Sequence, residues 1–136
     1  VFQPHRFSRT RDLLEEFGGA FMDADSVIVL PIYAASEEPI AGVTAELLAG
    51  RILGPRVEFA PELSAAVEKA VQAAREGDMI LTLGAGSVSH LAPQILAALK
   101  SHEETEAASM TVDRPLVSSE VAPTSRKVGR RGVAAR

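Results

Sequence analysis

The chain has 136 residues, 46% hydrophobic and 24% charged, with a formal net charge of -4 and a pI near 5.4. That length accommodates one domain with an ordinary core and not a second full one. The composition is that of a soluble globular protein, and the acidic balance argues against binding nucleic acid by bulk electrostatics and toward small-molecule partners.

Cysteine is absent, which excludes a disulfide framework, a thiolate zinc site and a cysteine nucleophile, and fits a cytoplasmic setting. Apolar runs such as 27–32 fall far short of the roughly 20 residues that cross a bilayer, so no membrane insertion is expected. The chain lacks an initiator Met and a signal-peptide pattern, so the reading is that it opens inside a strand of a longer protein.

Val1-Phe2 reads as the end of a buried strand, with Pro4 expected to stop its pairing because proline has no backbone donor. Ser8 or Thr10 is expected to cap a helix that places Leu13, Leu14, Phe17, Ala20 and Phe21 at helical spacing and ends near Asp23. Ser26 to Leu30 is a continuous β-branched run, the pattern of a strand covered on both faces. A helix is expected over 44–52, opened by Thr44, then a short strand over 57–60. A longer helix over 62–75 carries Leu63, Ala66, Val67, Ala70, Val71 and Ala74 on one stripe, and Met79 to Leu83 reads as another strand. Gly84-Ala85-Gly86-Ser87 then leads into a helix with Leu91, Ile95, Leu96 and Leu99 at helical spacing, up to about Lys100.

Strands alternating with helices predict an α/β fold, a Rossmann-like, mostly parallel sheet with helices on both faces. From Ser101 the pattern dissolves into Glu, Ser, Thr, Ala and Pro with scattered arginines, so 101–136 reads as a disordered tail or linker. No internal repeat is visible.

In an open parallel sheet, ligands bind beyond the carboxyl ends of the strands. Three loops lie there. The first, Gln3 to Arg11, holds His5, Arg6, Ser8, Arg9, Thr10 and Arg11 ahead of a helix start, and arginine forks suit carboxylates or phosphates through paired hydrogen bonds. A solvated helix start with surface arginines is the plainer alternative. The second, Pro31 to Gly42, carries Tyr33, the only tyrosine, and Glu37, an acceptor available to an arginine of the first loop. It also reads as an ordinary connection with turn residues.

The third, Gly84-Ala85-Gly86, resembles the start of a dinucleotide fingerprint, but Ser89 stands where the third glycine belongs, and a tight strand-to-helix turn needs glycines in any case. No set of His, Asp and Glu has metal-ligand spacing.

Taken together and in order, Phe2-Gln-Pro-His-Arg-Phe-Ser-Arg-Thr-Arg11, Tyr33-Ala-Ala-x-Glu-x-Pro39 and Gly77-Asp78 leading to Gly84-Ala-Gly86 resemble the C-terminal domain of the Mur ligases, in particular the UDP-N-acetylmuramate–L-alanine ligase family. The resemblance covers about residues 1–100, read as that domain lacking its first strand. It implies a part in ATP-dependent joining of L-alanine to UDP-N-acetylmuramate, through an acyl phosphate, in peptidoglycan precursor synthesis. The family's central domain, with its phosphate loop, mainly binds ATP and Mg2+. No Gly-x-x-x-x-Gly-Lys-Ser/Thr occurs here, so the fragment alone is expected to be inactive.

Carried over, His5, Arg6 and Arg9 hold the alanine carboxylate and the oxygens at the reacting end. Tyr33 and Glu37 shape the same pocket, and Gly84 and Gly86 permit close approach of the backbone or of a nucleotide. One position departs: relatives commonly carry Asp two residues before the tyrosine, where this chain has Pro31. The alternatives are the related murein-tripeptide ligase acting on the same sugar nucleotide, and a non-catalytic Rossmann-like nucleotide-binding module.

Overall fold

The computed structural model describes residues 1–112, with side chains to 105. Its elements are α1 (Phe7–Asp12), α2 (Leu14–Gly19), β1 (Ser26–Val29), α3 (Ala45–Ala49), β2 (Arg56–Phe59), α4 (Leu63–Ala73), a 3-10 turn (Ser87–His90) and α5 (Leu91–Val112). No helix among the described residues is long and apolar enough to cross a membrane.

β1 pairs in parallel with β2, from Ser26 opposite Arg56 to Val29 opposite Phe59. Phe2 bridges in parallel to Val29 on one side and to Leu83 on the other, so the order across the sheet is β2, β1, the Phe2 segment, the Leu83 segment. Numbered along the chain this is 3-2-1-4, the Rossmann-like order, with the reversal between Phe2 and Leu83. Ligand crevices of such sheets open at that point of reversal.

The strand expected over 79–83 is reduced to a bridge at Leu83, with bonds from Gln3 N–H to the Leu83 carbonyl (2.9 Å), from Leu83 N–H to the Val1 carbonyl (2.8 Å) and from the Val1 amino group to the Leu81 carbonyl (2.7 Å). Among the described residues nothing pairs along its other side. Met79 and Leu81 are correspondingly exposed.

Side-chain alternation along β1 builds two cores, because successive residues of a strand point to opposite faces. Ile28 and Leu30 face α4 and α5, packing with Ala60, Ala66, Ala70, Val88, Leu91 and Ile95. Val27 and Val29 face α2 and α3, packing with Phe2, Ala45, Leu48 and Ile52. The Phe2 ring lies 5.3 Å from Phe17 and 5.0 Å from Phe21. Helices thus cover both faces, as the continuous apolar run of β1 implies.

Four expectations need correction. Pro4 does not stop the pairing: its carbonyl accepts from Tyr33 N–H at 2.8 Å, and Arg6 N–H donates back to the Tyr33 carbonyl at 2.8 Å. Proline lacks a donor but keeps its acceptor, and that is the group the ladder uses. Two residues separate Phe2 from His5 but three separate Val29 from Tyr33, so the extra residue falls in the stretch that contains Pro31.

The helix expected to end near Asp23 is two, α1 and α2, broken at Leu13 (φ -110°, ψ 19°), and Leu13 is exposed rather than on the buried stripe. Leu96 is likewise 55% exposed, because α5 buries only the Leu91, Ile95 and Leu99 line. The final helix runs to Val112 rather than to about Lys100, adding residues 101–112 to it. The rest of the expected tail, 113–136, lies outside the described residues.

Thr44 caps α3 as expected, its hydroxyl oxygen accepting from Leu47 N–H at 3.1 Å. Removing that acceptor leaves an amide at the start of a five-residue helix with water alone. Thr44→Ala is therefore expected to lower stability by about 1 kcal/mol, read as a lower urea midpoint at constant slope.

Candidate functional site

The three strand-end loops converge. His5 bridges to Tyr33, which brings the imidazole onto the phenol ring, centroids 5.7 Å apart and planes within 15°. The Tyr33 ring also lies against Gly86, where a Cβ would lie 3.1 Å from three ring atoms. Gly84 sits against the Gln3 carbonyl, with no space for a Cβ. The buried Gln3 carboxamide oxygen accepts from Ser87 Oγ and Val88 N–H, each at 3.2 Å, tying the first loop to the turn after Leu83. Both glycines are thus used up by contacts within the protein, which accounts for them without a nucleotide.

His5 Nδ1 is shut off from solvent and has no hydrogen-bond partner among the described residues. An unpaired buried polar atom is costly, and this one lies where the first two loops meet.

Arg6 is the residue before α1 and is exposed, and Arg9 lies three positions on, exposed as well. Arg9 makes no side-chain hydrogen bond or ion pair among the described residues, while Arg6 reaches Glu37 Oε1 only at 3.9 Å.

Ser8 and Thr10 are not caps. Both lie inside α1, and the buried Thr10 hydroxyl donates to the Arg6 carbonyl at 2.8 Å. The acceptor at the head of α1 comes from the second loop: Glu37 takes Ser8 N–H on Oε2 at 2.9 Å and Ser8 Oγ–H on Oε1 at 2.6 Å. The amino end of α1, expected to favour an external anion, already holds an internal one. A connection made across 29 residues leaves no local pattern, so the only signal in the sequence was a hydroxyl in one loop and a carboxylate in the other.

The Ser8 hydroxyl and amide, helped by the Arg6 charge and the Phe7 amide, hold the Glu37 carboxyl below its ordinary value of 4.5. Because the folded value is the lower one, Glu37 contributes stability at pH above the ordinary value. That contribution is lost as pH falls through the depressed one. Denaturation midpoints taken from about pH 6 to about pH 3 should therefore fall more steeply for the native chain than for Glu37→Gln. Asp12 and Glu58 are also held low, by Arg11 and Lys69 first, so the difference between the two curves is the readout.

No three His, Asp or Glu side chains among the described residues come together as a metal cage. The donor set here is imidazole, phenol and guanidinium, which suits a carboxylate or a phosphoryl oxygen and not magnesium.

Residues 1–86 match the family described as Mur ligase, glutamate ligase domain. The chain is 55% identical over 104 residues to the UDP-N-acetylmuramate–L-alanine ligase of Koribacter versatilis, covering 74% of this chain and 22% of that protein. It is 54% identical over 99 residues to the enzyme of that name from Thermobifida fusca, covering 73% and 21%, and 48% identical over 100 residues to that of Mycobacterium avium, covering 74% and 20%. The chain spans about a fifth of the length of these relatives. The matched stretch includes every strand and all three strand-end loops, and with it this chain belongs to the Mur ligase family, as its C-terminal domain.

Proposed function

We propose that this chain is the amino-acid-receiving part of an ATP-dependent ligase that adds L-alanine to UDP-N-acetylmuramate in the cytoplasm, through an acyl phosphate. The observation that carries it is the pair of exposed guanidiniums at the strand ends beside the His5–Tyr33 stack: among the described residues Arg9 has no ion pair and Arg6 has only the 3.9 Å approach of Glu37. The names of the relatives at about half identity supply the substrates.

In this reading His5, Arg6 and Arg9 hold the alanine carboxylate, and Tyr33 and Glu37 shape the pocket from the next strand end. A fork that grips both carboxylate oxygens fixes the direction of the amine, so that its lone pair meets the acyl carbon. The carbon–nitrogen bond forms, the carbon–oxygen bond to phosphate breaks, and the amine loses a proton. Orienting two reactants in this way is worth several kcal/mol of barrier. ATP and Mg2+ belong mainly to a domain outside this chain, and ATP supplies the phosphoryl group that activates the acceptor carboxylate. No described residue of this domain is assigned to Mg2+, and residues 101–136 are assigned to a tail or linker.

The test is to restore the upstream domains and measure ADP release. Release that requires both ATP and L-alanine supports the reading, and release that ignores L-alanine sinks it. Calorimetry of the chain alone with ATP separates the nucleotide-binding alternative, since tight binding without the upstream domains would favour that module.

A further inference from the structure

Eight described residues have positive φ, and five of them are glycines. The three that are not are Arg6 (φ 72°), Ala35 (φ 49°) and Ser36 (φ 68°). A side chain in this region strains the backbone, and the strain persists only where the surroundings over-determine it. All three strained residues belong to the two segments that Glu37 and Ser8 join. The other five described residues of positive φ are glycines, Gly42 of the second loop among them, whereas Arg6, Ala35 and Ser36 keep side chains.

The surroundings do over-determine Arg6. Its N–H donates to the Tyr33 carbonyl, and its carbonyl accepts from both Thr10 N–H (3.1 Å) and the Thr10 hydroxyl (2.8 Å). Glu37 then fixes the first turn of α1 through Ser8 N–H and Oγ–H. With those two bonds on Ser8, Glu37 keeps only a loose 3.9 Å approach to Arg6. Paired guanidinium–carboxylate bonds are shorter, about 2.7–2.9 Å. Glu37 thus makes its short bonds to Ser8 and leaves the Arg6 guanidinium with only a loose contact.

From this geometry we infer that Ser8 and Glu37 form a positioning latch, in which Glu37 acts on the Arg6 and Arg9 guanidiniums through Ser8 and the α1 backbone and does not itself bind the amino acid. The latch rests on the proposal that these arginines hold an amino-acid carboxylate. It refines the place of Glu37 in that pocket and adds Ser8 and Thr10 as positioning residues. Arg6 is strained so that one guanidinium stands before α1 and another three residues along it, with the internal anion on the helix amides and the external one left to the forks.

The experiment uses the full-length ligase that contains this domain. Glu37→Gln and Ser8→Ala should each raise the KM for the amino acid about tenfold, with the KM values for ATP and the sugar nucleotide unchanged. Ser8→Thr, which keeps the hydroxyl, should return the amino-acid KM to within about twofold of native. A variant that is merely less stable loses kcat through its unfolded fraction and leaves the KM where it was. If Glu37→Gln does not fold, Ser8→Ala against Ser8→Thr carries the same comparison. Arg9→Ala, run beside them, reads the carboxylate assignment alone: unchanged kinetics there would remove the reading on which the latch rests. A raised KM for Arg9→Ala with native KM values for Glu37→Gln and Ser8→Ala overturns the latch and leaves that reading standing, as does an equal rise in all three substrate KM values.

Discussion

On the proposed alanine-ligase reading, Arg9→Ala in the full-length protein is expected to lower kcat/KM for L-alanine by about 100-fold, close to 3 kcal/mol of lost transition-state stabilisation. The figure follows from what the side chain is free to do. Arg9 is exposed, has no partner among the described residues, and lies on a helix whose amino end is already neutralised by Glu37. In the proposed role its charge is therefore left for the carboxylate of the amino acid. A planar fork that grips two carboxylate oxygens also sets the angle of the amine, so its loss should show both as weaker binding and as slower reaction. Arg9→Lys should recover only part of the loss, because an ammonium supplies the charge without the fork. Saturation kinetics in L-alanine at fixed, saturating ATP and sugar nucleotide provide the measurement. Kinetics equal to native for Arg9→Ala would show that the carboxylate is held elsewhere.

Much of the framework behind this prediction was legible before any coordinates. Val27-Ile-Val-Leu30 is apolar on consecutive positions because alternate residues serve two different cores, and that doubling is what a strand covered on both faces requires. Thr44 was legible as a cap because a cap is local, a hydroxyl three residues from the amide it serves. The failures are equally physical. The end of α5 reads as a tail in the sequence because 101–105 offers no apolar stripe. Yet a helix already paid for by packing at Leu91 and Ile95 needs no further core to continue, and Glu and Ala extend it by propensity. The break at Leu13 has no proline or glycine to announce it. In the site, the content of the loops was visible and their pairing was not. That Glu37 lands on Ser8, and Tyr33 against both His5 and Gly86, depends on a register that runs on from the Phe2–Val29 and Phe2–Leu83 bridges outside the loops. Residue types could suggest an anion site, but only the register shows that part of it is filled from within.

Gly84→Ala should remove the fold's tolerance at that same register, destabilising the chain by about 3 kcal/mol or more, or about 12 °C in the unfolding midpoint. Two independent costs combine. Gly84 has φ +141°, a conformation that side chains rarely adopt, and an added Cβ would lie 2.6 Å from the Gln3 carbonyl oxygen, 3.0 Å from Val88 Cγ1 and 3.2 Å from Gln3 Cβ. The nearest of these is backbone. Gln3 N–H is bonded to Leu83 and the Gln3 side chain to Ser87 and Val88, so the strand cannot move aside without breaking the joint it makes with the turn. Gly86→Ala also strains a positive φ, of +98°, but what its Cβ meets is the ring of Tyr33, 41% exposed and able to rotate. The two neighbours should therefore separate: Gly84→Ala fails in the unfolding curve, while Gly86→Ala keeps most of its stability and fails in the site, because a displaced Tyr33 no longer stacks on His5. Circular-dichroism melts of both variants of this chain, with amino-acid KM values in the full-length protein for whichever folds, decide it. A Gly84→Ala chain as stable as the native one would mean that the Gln3–Gly84 contact is not the joint between the first loop and the last strand.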